Sequence, residues 1–260
     1  MNTILITVAI IAGIGLFFAI VLTIASKLMA VPTDPNVEKV RELLPGANCG
    51  ACGFAGCDDY AKAVCAGKAQ ANACVPGGGD VAAGIAGILG VEAGEVTPQA
   101  AFLACQGTPA VTGKKYDYQG MTTCAACNQL FYGQKECAYA CIGLGDCVKA
   151  CPYGALSLVG GIAHVDEALC TGCGACTKAC PKGLLSVQPK GTPHQVCCSN
   201  RDKGAFTRKV CRVGCLGCMK CVKTCPAGAI AVKDNLAHID PEKCTGCGEC
   251  VAACPVHAIV

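Results

Sequence analysis

The sequence predicts an α+β protein in which one apolar N-terminal helix is followed by a small helical domain and two tandem copies of a cysteine-rich unit. Three observations support this prediction: residues 4–25 carry no charge, cysteines recur at short regular spacings, and the C-terminal half contains an internal repeat. Only 5% of the residues are aromatic and Trp is absent, so the apolar core is thin. Bound metal would contribute folding free energy to such a chain.

The first element is a run of 22 apolar or small residues from Ile4 to Ala25. At a rise of 1.5 Å per residue, a helix of this length would cross a bilayer. The segment before it lacks the positive charge of a cleaved signal peptide, and Lys27 follows it directly. By the positive-inside bias, the sequence predicts a single-pass anchor in the cell membrane with the rest of the chain in the cytoplasm.

The second element is a small helical domain that carries four cysteines. Asp34-Pro35 predicts the N-cap and first residue of a short helix. Further helices are expected after Cys57 and from Asp80 to Leu89. Glycines between the cysteines let the backbone close around a metal cluster and aim its amides at sulfur. The four cysteines are Cys49, Cys52, Cys57 and Cys74.

The remaining elements are defined by the pattern C-x2-C-x2-C-x3-C-P, which is complete from Cys170 to Pro181 and again from Cys244 to Pro255. Three evenly spaced cysteines wrap the chain around one corner of a metal–sulfur cube, and the fourth reaches the neighbouring cluster, as in bacterial two-cluster ferredoxins. Zinc usually takes two separated C-x2-C pairs, and disulfides do not require this spacing. The pattern therefore favours 4Fe-4S clusters in a reducing compartment, with zinc and disulfides as the alternatives.

An internal repeat at an offset of 74 residues shows that there are two such units. By this count Cys124 falls on Cys198, and Leu144 occupies the position of Cys218. Cys137 is expected to supply the sulfur that the first copy lacks, which leaves the matching cysteine of the second copy, Cys211, as a spare. A three-ligand cluster with an open iron is the alternative.

Crossed ligation between neighbouring clusters predicts five clusters and twenty ligands. The sets are Cys49, Cys52, Cys57 and Cys74; Cys137, Cys141, Cys147 and Cys180; Cys151, Cys170, Cys173 and Cys176; Cys215, Cys218, Cys221 and Cys254; and Cys225, Cys244, Cys247 and Cys250. Seven cysteines remain, as ordinary thiols or as part of a sixth site: Cys65, Cys105, Cys124, Cys127, Cys197, Cys198 and Cys211.

Each unit is also expected to contain a small β-hairpin. Two short apolar runs flank Gly160-Gly161, and a second pair flanks Asp234-Asn235. His164 and His238 fall on these strands and are interpreted as structural. The predicted segments are 1–26 (apolar helix), 27–105 (N-terminal cluster domain), 106–135 (linker or insertion), 136–190 (first ferredoxin-like unit) and 191–260 (second ferredoxin-like unit).

Charge and motifs exclude several function classes. The formal net charge is +3, but each thiolate-ligated cubane adds about −2, so a loaded chain would be acidic and unsuited to nucleic acid. No glycine-rich dinucleotide loop follows a strand, so NAD and flavin are expected to bind elsewhere. Five lysines beside ligand cysteines would offset cluster charge or simply be solvated; they are Lys149, Lys178, Lys182, Lys220 and Lys223.

The apolar helix, the motif Cys49-x2-Cys52-x4-Cys57 with Cys74-Val-Pro-Gly-Gly, and the ferredoxin units resemble the B subunits of Rnf complexes over essentially the whole chain. The likeness of Cys137-Ala-Tyr-Ala-Cys141 to the family supports Cys137 as a ligand. The second ferredoxin unit is a departure, because the shortest members lack it, and it leaves the order of electron transfer open.

The resemblance implies an electron-transfer component of a membrane translocase that oxidises ferredoxin, reduces NAD and pumps Na+ or protons. The implied partners are soluble ferredoxin and the other Rnf subunits, and the isolated chain would perform no chemistry beyond electron transfer. The alternatives are a membrane-bound polyferredoxin that feeds another acceptor, such as a corrinoid protein or a redox regulator, and a non-enzymatic assembly protein.

Overall fold

The computed structural model describes residues 2–28 and 34–260 as ten helices and six short strands. The strands form three separate antiparallel pairs, β1–β4, β2–β3 and β5–β6. In chain order the elements are α1 (Asn2–Leu28), α2 (Pro35–Leu43), α3 (Cys57–Cys65), α4 (Gly78–Leu89), β1 (Gln99–Leu103), α5 (Cys124–Gln129), α6 (Asp146–Lys149), β2 (Leu156–Val159), β3 (Ile162–Val165), α7 (Ala175–Ala179), β4 (Leu185–Pro189), α8 (Gly204–Val210), α9 (Lys220–Thr224), β5 (Ile230–Lys233), β6 (Leu236–Ile239) and α10 (Glu249–Ala253).

Helix α1 forms where the apolar run predicts a helix, but the predicted membrane span is wrong on the described residues. None of their helices is both long and apolar enough to cross a bilayer. Side chains at positions 4, 5, 7, 9 and 10 of the expected span lie outside the described residues.

Helices α2, α3 and α4 lie where the sequence predicts short helices, and they pack around a common core. Their core is built on Val40, Tyr60 and Ile85, each at most 1% exposed. Asp34 caps α2 by accepting a hydrogen bond from the backbone N–H of Asn36, at 2.9 Å. The Tyr60 hydroxyl donates to the carbonyls of residues 70 and 71, at 2.8 and 3.0 Å. These bonds hold the loop that leads to Cys74 against the helices.

The first ferredoxin-like unit contains two strand pairs. The hairpin β2–β3 turns at Gly160 and Gly161, whose φ angles of 56° and 72° suit the two-residue turn predicted there. Strand β1 lies within the segment predicted as the N-terminal domain, yet it pairs with β4, so that Ala101 faces Val187. The unit therefore takes its second strand pair from residues far apart in sequence.

The second unit repeats this arrangement in a reduced form. Its hairpin β5–β6 turns at Asp234 and Asn235, with φ angles of 50° and 60°, as predicted. In place of a second strand pair, only a single bridge joins Val196 to Ile259. The bridged segments nevertheless occupy the same place in the unit as β1 and β4 do in the first.

Hydrogen bonds reveal which cysteines of the two units are equivalent. The N–H of Ala104 donates to Leu184 in the first unit, and the N–H of Cys197 donates to Ala258 in the second. Cys105 therefore corresponds to Cys198, although a constant offset of 74 aligns Cys124 with Cys198. The difference arises because residues 106–135 form an insertion between this segment and the rest of the first unit.

Candidate iron–sulfur sites

The N-terminal site is formed by the loop after α2, the start of α3 and the loop before α4. Its four predicted cysteines line one cavity; they are Cys49, Cys52, Cys57 and Cys74. The Asn48 side chain accepts a hydrogen bond from the N–H of Cys57 at 2.8 Å and fixes this loop. Burial raises the pKa of Cys74, and its three cysteine neighbours raise it further. The structure thus brings the four predicted sulfur ligands together.

The first unit contains one site that matches the predicted set. Cys151, Cys170, Cys173 and Cys176 line a single cavity. The N–H of Ala101 on β1 donates to the sulfur of Cys170 at 3.3 Å, which explains why this strand belongs to the unit. Burial and then the neighbouring Cys170, Cys173 and Cys151 raise the pKa of Cys176 to about 11.

The other site of the first unit differs from the predicted set in one member. Its cavity is lined by Cys124, Cys141, Cys147 and Cys180, whereas Cys137 does not line it. Burial, followed by the charges of Cys141, Cys124 and Cys180, raises the pKa of Cys147 to about 12. A fourth sulfur therefore lines this cavity. The geometry does not require the alternative of a three-ligand cluster with an open iron.

Cys124 reaches this cavity because the insertion contains a short helix aimed at it. The Thr123 side chain caps α5 by accepting from the N–H of Ala126 at 3.2 Å. Asp146 accepts from the N–H of Ala125 at 3.0 Å and ties α5 to the segment that carries Cys147. The sequence leaves Cys124 unassigned since it lies seventeen residues before Cys141, outside the short spacings of the motif. The one local feature of the sequence that indicates a helix beginning at Cys124 is the preceding Thr123, a residue type that caps helices.

The second unit brings together one predicted set in full and three members of the other. Cys215, Cys218, Cys221 and Cys254 line one cavity. Burial, with Cys215, Cys218 and Cys254 nearby, raises the pKa of Cys221 to about 11. In the other set, burial and the neighbouring Cys244 and Cys225 raise the pKa of Cys250. The fourth member, Cys247, is exposed, as is Cys218.

The donor atoms of these sites suit iron–sulfur clusters. Each of the four cavities is lined by four thiols, and backbone N–H groups donate to their sulfurs, as Leu184 does to Cys180 and Ala258 to Cys254. Such hydrogen bonds tune the potential of a cluster. In the described part of the chain, no group of three Cys, His, Asp or Glu side chains could hold a single metal ion.

The lysines that lie beside predicted ligand cysteines in the sequence differ from one another in burial in the structure. Lys149, Lys220 and Lys223 are exposed. Lys182 is partly buried and donates to the carbonyls of Ala138 and Ala140, at 2.7 and 2.9 Å. The sequence gives no indication of Lys135, which is only 5% exposed. Burial lowers the pKa of both Lys182 and Lys135, and nearby cysteines oppose this shift.

Neighbouring sites lie close together. Within the first unit, Cys147 and Cys151 are four residues apart on two different sites, and so are Cys176 and Cys180. The N-terminal site adjoins the Cys151 site, because Lys178 donates to the Cys49 carbonyl at 2.8 Å. Burial raises the pKa of Cys173, and Cys49 is the first of the cysteines that add to the shift. The fold therefore joins the N-terminal domain to the first ferredoxin-like unit at their cysteine sites.

Family comparisons agree with this arrangement. Residues 44–76 match the family described as "Putative Fe-S cluster", and residues 140–184, 169–229 and 214–258 match the "4Fe-4S dicluster domain". The first of these ranges contains the N-terminal site, and the others together cover most of both ferredoxin-like units, from residue 140 to residue 258. The comparisons thus support 4Fe-4S clusters as the cofactors.

Relatives of known name match nearly the whole chain. The B subunit of a proton-translocating ferredoxin:NAD+ oxidoreductase complex from Clostridium ljungdahlii is 43% identical, over 92% of this chain and 85% of the relative. The B subunit of an ion-translocating oxidoreductase complex from Methanosarcina acetivorans is 46% identical, over 94% and 93%. The B subunit of a Na+-translocating ferredoxin:NAD+ oxidoreductase complex from Acetobacterium woodii is 42% identical, over 94% and 73%. The chain therefore belongs to the family of B subunits of the ion-translocating Rnf complexes.

Proposed function

We propose that the chain accepts electrons from reduced ferredoxin and relays them to other subunits of an ion-translocating ferredoxin:NAD+ oxidoreductase complex. Membership of the family makes it an iron–sulfur electron-transfer subunit. The observation that carries the proposal is the proximity of the N-terminal site to the Cys151 site of the first ferredoxin-like unit, which itself adjoins the Cys147 site. Bound 4Fe-4S clusters would supply one-electron carriers.

The protein's own residues set the distances between the proposed sites. Crossed ligation forces the two sites of each unit into proximity, since ligands four residues apart belong to different sites. In the second unit these pairs are Cys221 with Cys225 and Cys250 with Cys254. The proposed ligand sets are those that the structure brings together, with Cys124 in place of Cys137 beside Cys141.

The second unit is the proposed docking place for ferredoxin. It presents the exposed Cys218 and Cys247 at its surface, whereas every site cysteine of the first unit is at least partly buried. Lys220 and Lys223 are exposed beside site cysteines of this unit, and neither forms an ion pair within the described residues, whereas Lys243 pairs with Asp240 at 3.1 Å. Positive charge around an exposed site steers an acidic partner toward it and raises the association rate.

The proposed location follows from the proposed function. A complex that translocates ions works at a membrane, and its ferredoxin and NAD pools lie in the cytoplasm. We therefore place the chain at the cell membrane in contact with other Rnf subunits, with the cysteine sites on the cytoplasmic side. The names of the relatives include both proton-translocating and Na+-translocating complexes, so either coupling ion suits the family.

The order of transfer is tested by a Cys49→Ala variant of the whole complex, mixed with reduced ferredoxin in a stopped-flow spectrometer. The C-terminal units should still be reduced at the wild-type rate, while NAD reduction by the complex collapses. Cys65→Ala is the matched control, because Cys65 lies in the same domain outside the N-terminal cavity. Unimpaired NAD reduction by Cys49→Ala would refute this order.

A further inference from the structure

Four cysteines outside the five sites converge where the two ferredoxin-like units meet. Cys137 and Cys211 are buried side by side with Ala140, and Cys105 packs against them. Asn200, which is 1% exposed, connects Cys198 to this group. Its backbone N–H donates to the sulfur of Cys198 and its side-chain amide to the sulfur of Cys137, both at 3.4 Å. Each unit therefore contributes two sulfurs to one buried place.

The two contributions are related by the internal repeat. The sulfur of Cys105 accepts from the N–H of residue 107 at 3.2 Å and from that of Cys141 at 3.3 Å. The sulfur of Cys198 accepts from the N–H of residue 200 at 3.4 Å and from that of Cys215 at 3.3 Å. Two equivalent N–H···S pairs at equivalent positions indicate that both sulfurs serve the same purpose.

These hydrogen bonds are of the kind found at the proposed ligands. Backbone N–H groups donate in the same way to Cys170, Cys180 and Cys254. Hydrogen bonds to sulfur stabilise the thiolate form, which is the form that binds metal. The hydrogen bonds to Cys105 and Cys198 thus favour the thiolate form that binds metal, which simple apolar packing would not require.

Two lysines lie next to the same cysteines: Lys135 is buried and Lys182 is partly buried. The ammonium group of Lys135 donates to the carbonyls of residues 107 and 161, at 2.8 and 2.9 Å. Lys182 donates to the carbonyls of residues 138 and 140, next to Cys137. In the described part of the chain neither ammonium lies within 4.0 Å of a carboxylate. A buried cation is costly unless an anion offsets it, and thiolate-bound clusters are anions.

We propose that Cys105, Cys137, Cys198 and Cys211 form a sixth 4Fe-4S site, shared by the two ferredoxin-like units. The proposal rests on the iron–sulfur function proposed above. Cys137 lies four residues before Cys141, and Cys211 lies four residues before Cys215. The shared site is therefore adjacent to one site of each unit and joins the two units into one continuous series. Six sets then use 24 of the 27 cysteines and leave Cys65, Cys127 and Cys197 as thiols.

The test counts metal in the full-length chain after anaerobic purification and reconstitution with iron and sulfide. Native mass spectrometry of the wild type should show six 4Fe-4S clusters, about 24 irons per chain. Cys211→Ser should lose about four irons and four sulfides and keep the rest. Cys197→Ser is the matched control, because it neighbours Cys198 but corresponds to Ala104 in the first unit, and it should keep all six.

A wild-type count of five clusters, or zinc at this place, would overturn the sixth site, and so would full iron loading of Cys211→Ser. If Cys211→Ser fails to fold, the wild-type count decides alone. The outcomes separate the two proposals: a chain with five clusters and normal ferredoxin-dependent NAD reduction removes only the sixth site. A chain with six clusters in an inactive complex removes the proposed function instead.

Discussion

The two ferredoxin-like units share a hairpin and paired cavities, but the first-unit cavity obtains its fourth cysteine in a different way from the second-unit cavity. In the second unit Cys218 lies within the regular triplet, whereas the first unit has Leu144 at that position and draws Cys124 from an insertion. The first unit also has a paired β1–β4 ladder where the second has a single bridge. A cysteine can thus reach the cavity either from the regular triplet or from a distant insertion, so spacing in the sequence is only one way to place a fourth thiol there.

The largest effect is expected when the fourth cysteine of the first-unit cavity is removed from the insertion and then supplied at the position that it has in the second unit. Cys124→Ser should remove one cluster from the first unit, about four irons per chain, because only three sulfurs then surround the cavity. Adding Leu144→Cys to that variant should restore the lost iron by recreating the triplet of the second unit. Iron and acid-labile sulfide analysis measures both changes.

The control for this exchange is Cys127→Ala, since Cys127 is fully buried on α5 but does not line the cavity. It should keep the wild-type iron content. If Cys124→Ser keeps all its iron while Cys137→Ser loses the cluster beside Cys141, the ligand set expected from the sequence is right and the one proposed from the structure is not.

A smaller effect is expected from the charge that distinguishes the two units. Lys182 lines the Cys124 cavity, and the equivalent position in the second unit is Val256. A nearby positive charge favours the added electron, so Lys182→Met should make the midpoint potential of the first-unit cluster more negative. Val256→Lys should shift the corresponding second-unit cluster in the opposite direction.

EPR-monitored redox titration measures these potentials, with Lys149→Met as the control, since Lys149 is exposed. Equal potentials in Lys182→Met and the wild type would show that this lysine supports packing alone.

The smallest effect concerns the metal-free chain at high pH. The folded-state pKa is raised to about 12 for Cys147 and to about 11 for Cys221, mainly by burial. A raised thiol pKa favours the folded state below the ordinary thiol pKa of about 8.5, and this contribution is lost as the pH rises toward the folded value. The metal-free chain should therefore lose stability as the pH rises from about 9, and Cys147 should contribute to this loss over a wider pH range than Cys221, because its folded-state pKa is higher.

Thermal unfolding of chelator-treated protein, followed by circular dichroism at pH 7.5 and pH 10.5, checks this pH dependence. The iron-loaded chain is the control and should lack it, because its ligand thiols are already deprotonated. A metal-free chain as stable at pH 10.5 as at pH 7.5 would contradict the assigned burial.

Local spacing predicted those parts of the fold whose partners lie close in sequence. The two hairpins follow from Gly160-Gly161 and Asp234-Asn235, and the three short helices of the N-terminal domain follow from caps and apolar spacing. The pairing of β1 with β4 and the burial of Lys135 could not be predicted, because both depend on contacts between residues far apart in sequence. The predicted single-pass span is not supported by the described residues.

The candidate sites show the same difference between contacts that are close in sequence and contacts between distant residues. The grouping of triplet cysteines around one cavity was predictable, whereas the place of Cys124 depends on how the insertion folds back onto the unit. The constant offset of 74 aligned Cys124 with Cys198, and only the hydrogen bonds of the folded chain show that Cys105 is the equivalent residue. Counting along a repeat fails wherever an insertion lies within it.

The most direct test of the account is to locate iron in the protein itself, by anomalous scattering at the iron edge from anaerobically grown crystals of the chain or its complex. The account predicts a four-iron centre within each four-cysteine set, with Cys124 bound to the centre beside Cys141. Single metal ions at these places, or bonding of Cys137 rather than Cys124 to that centre, would contradict it.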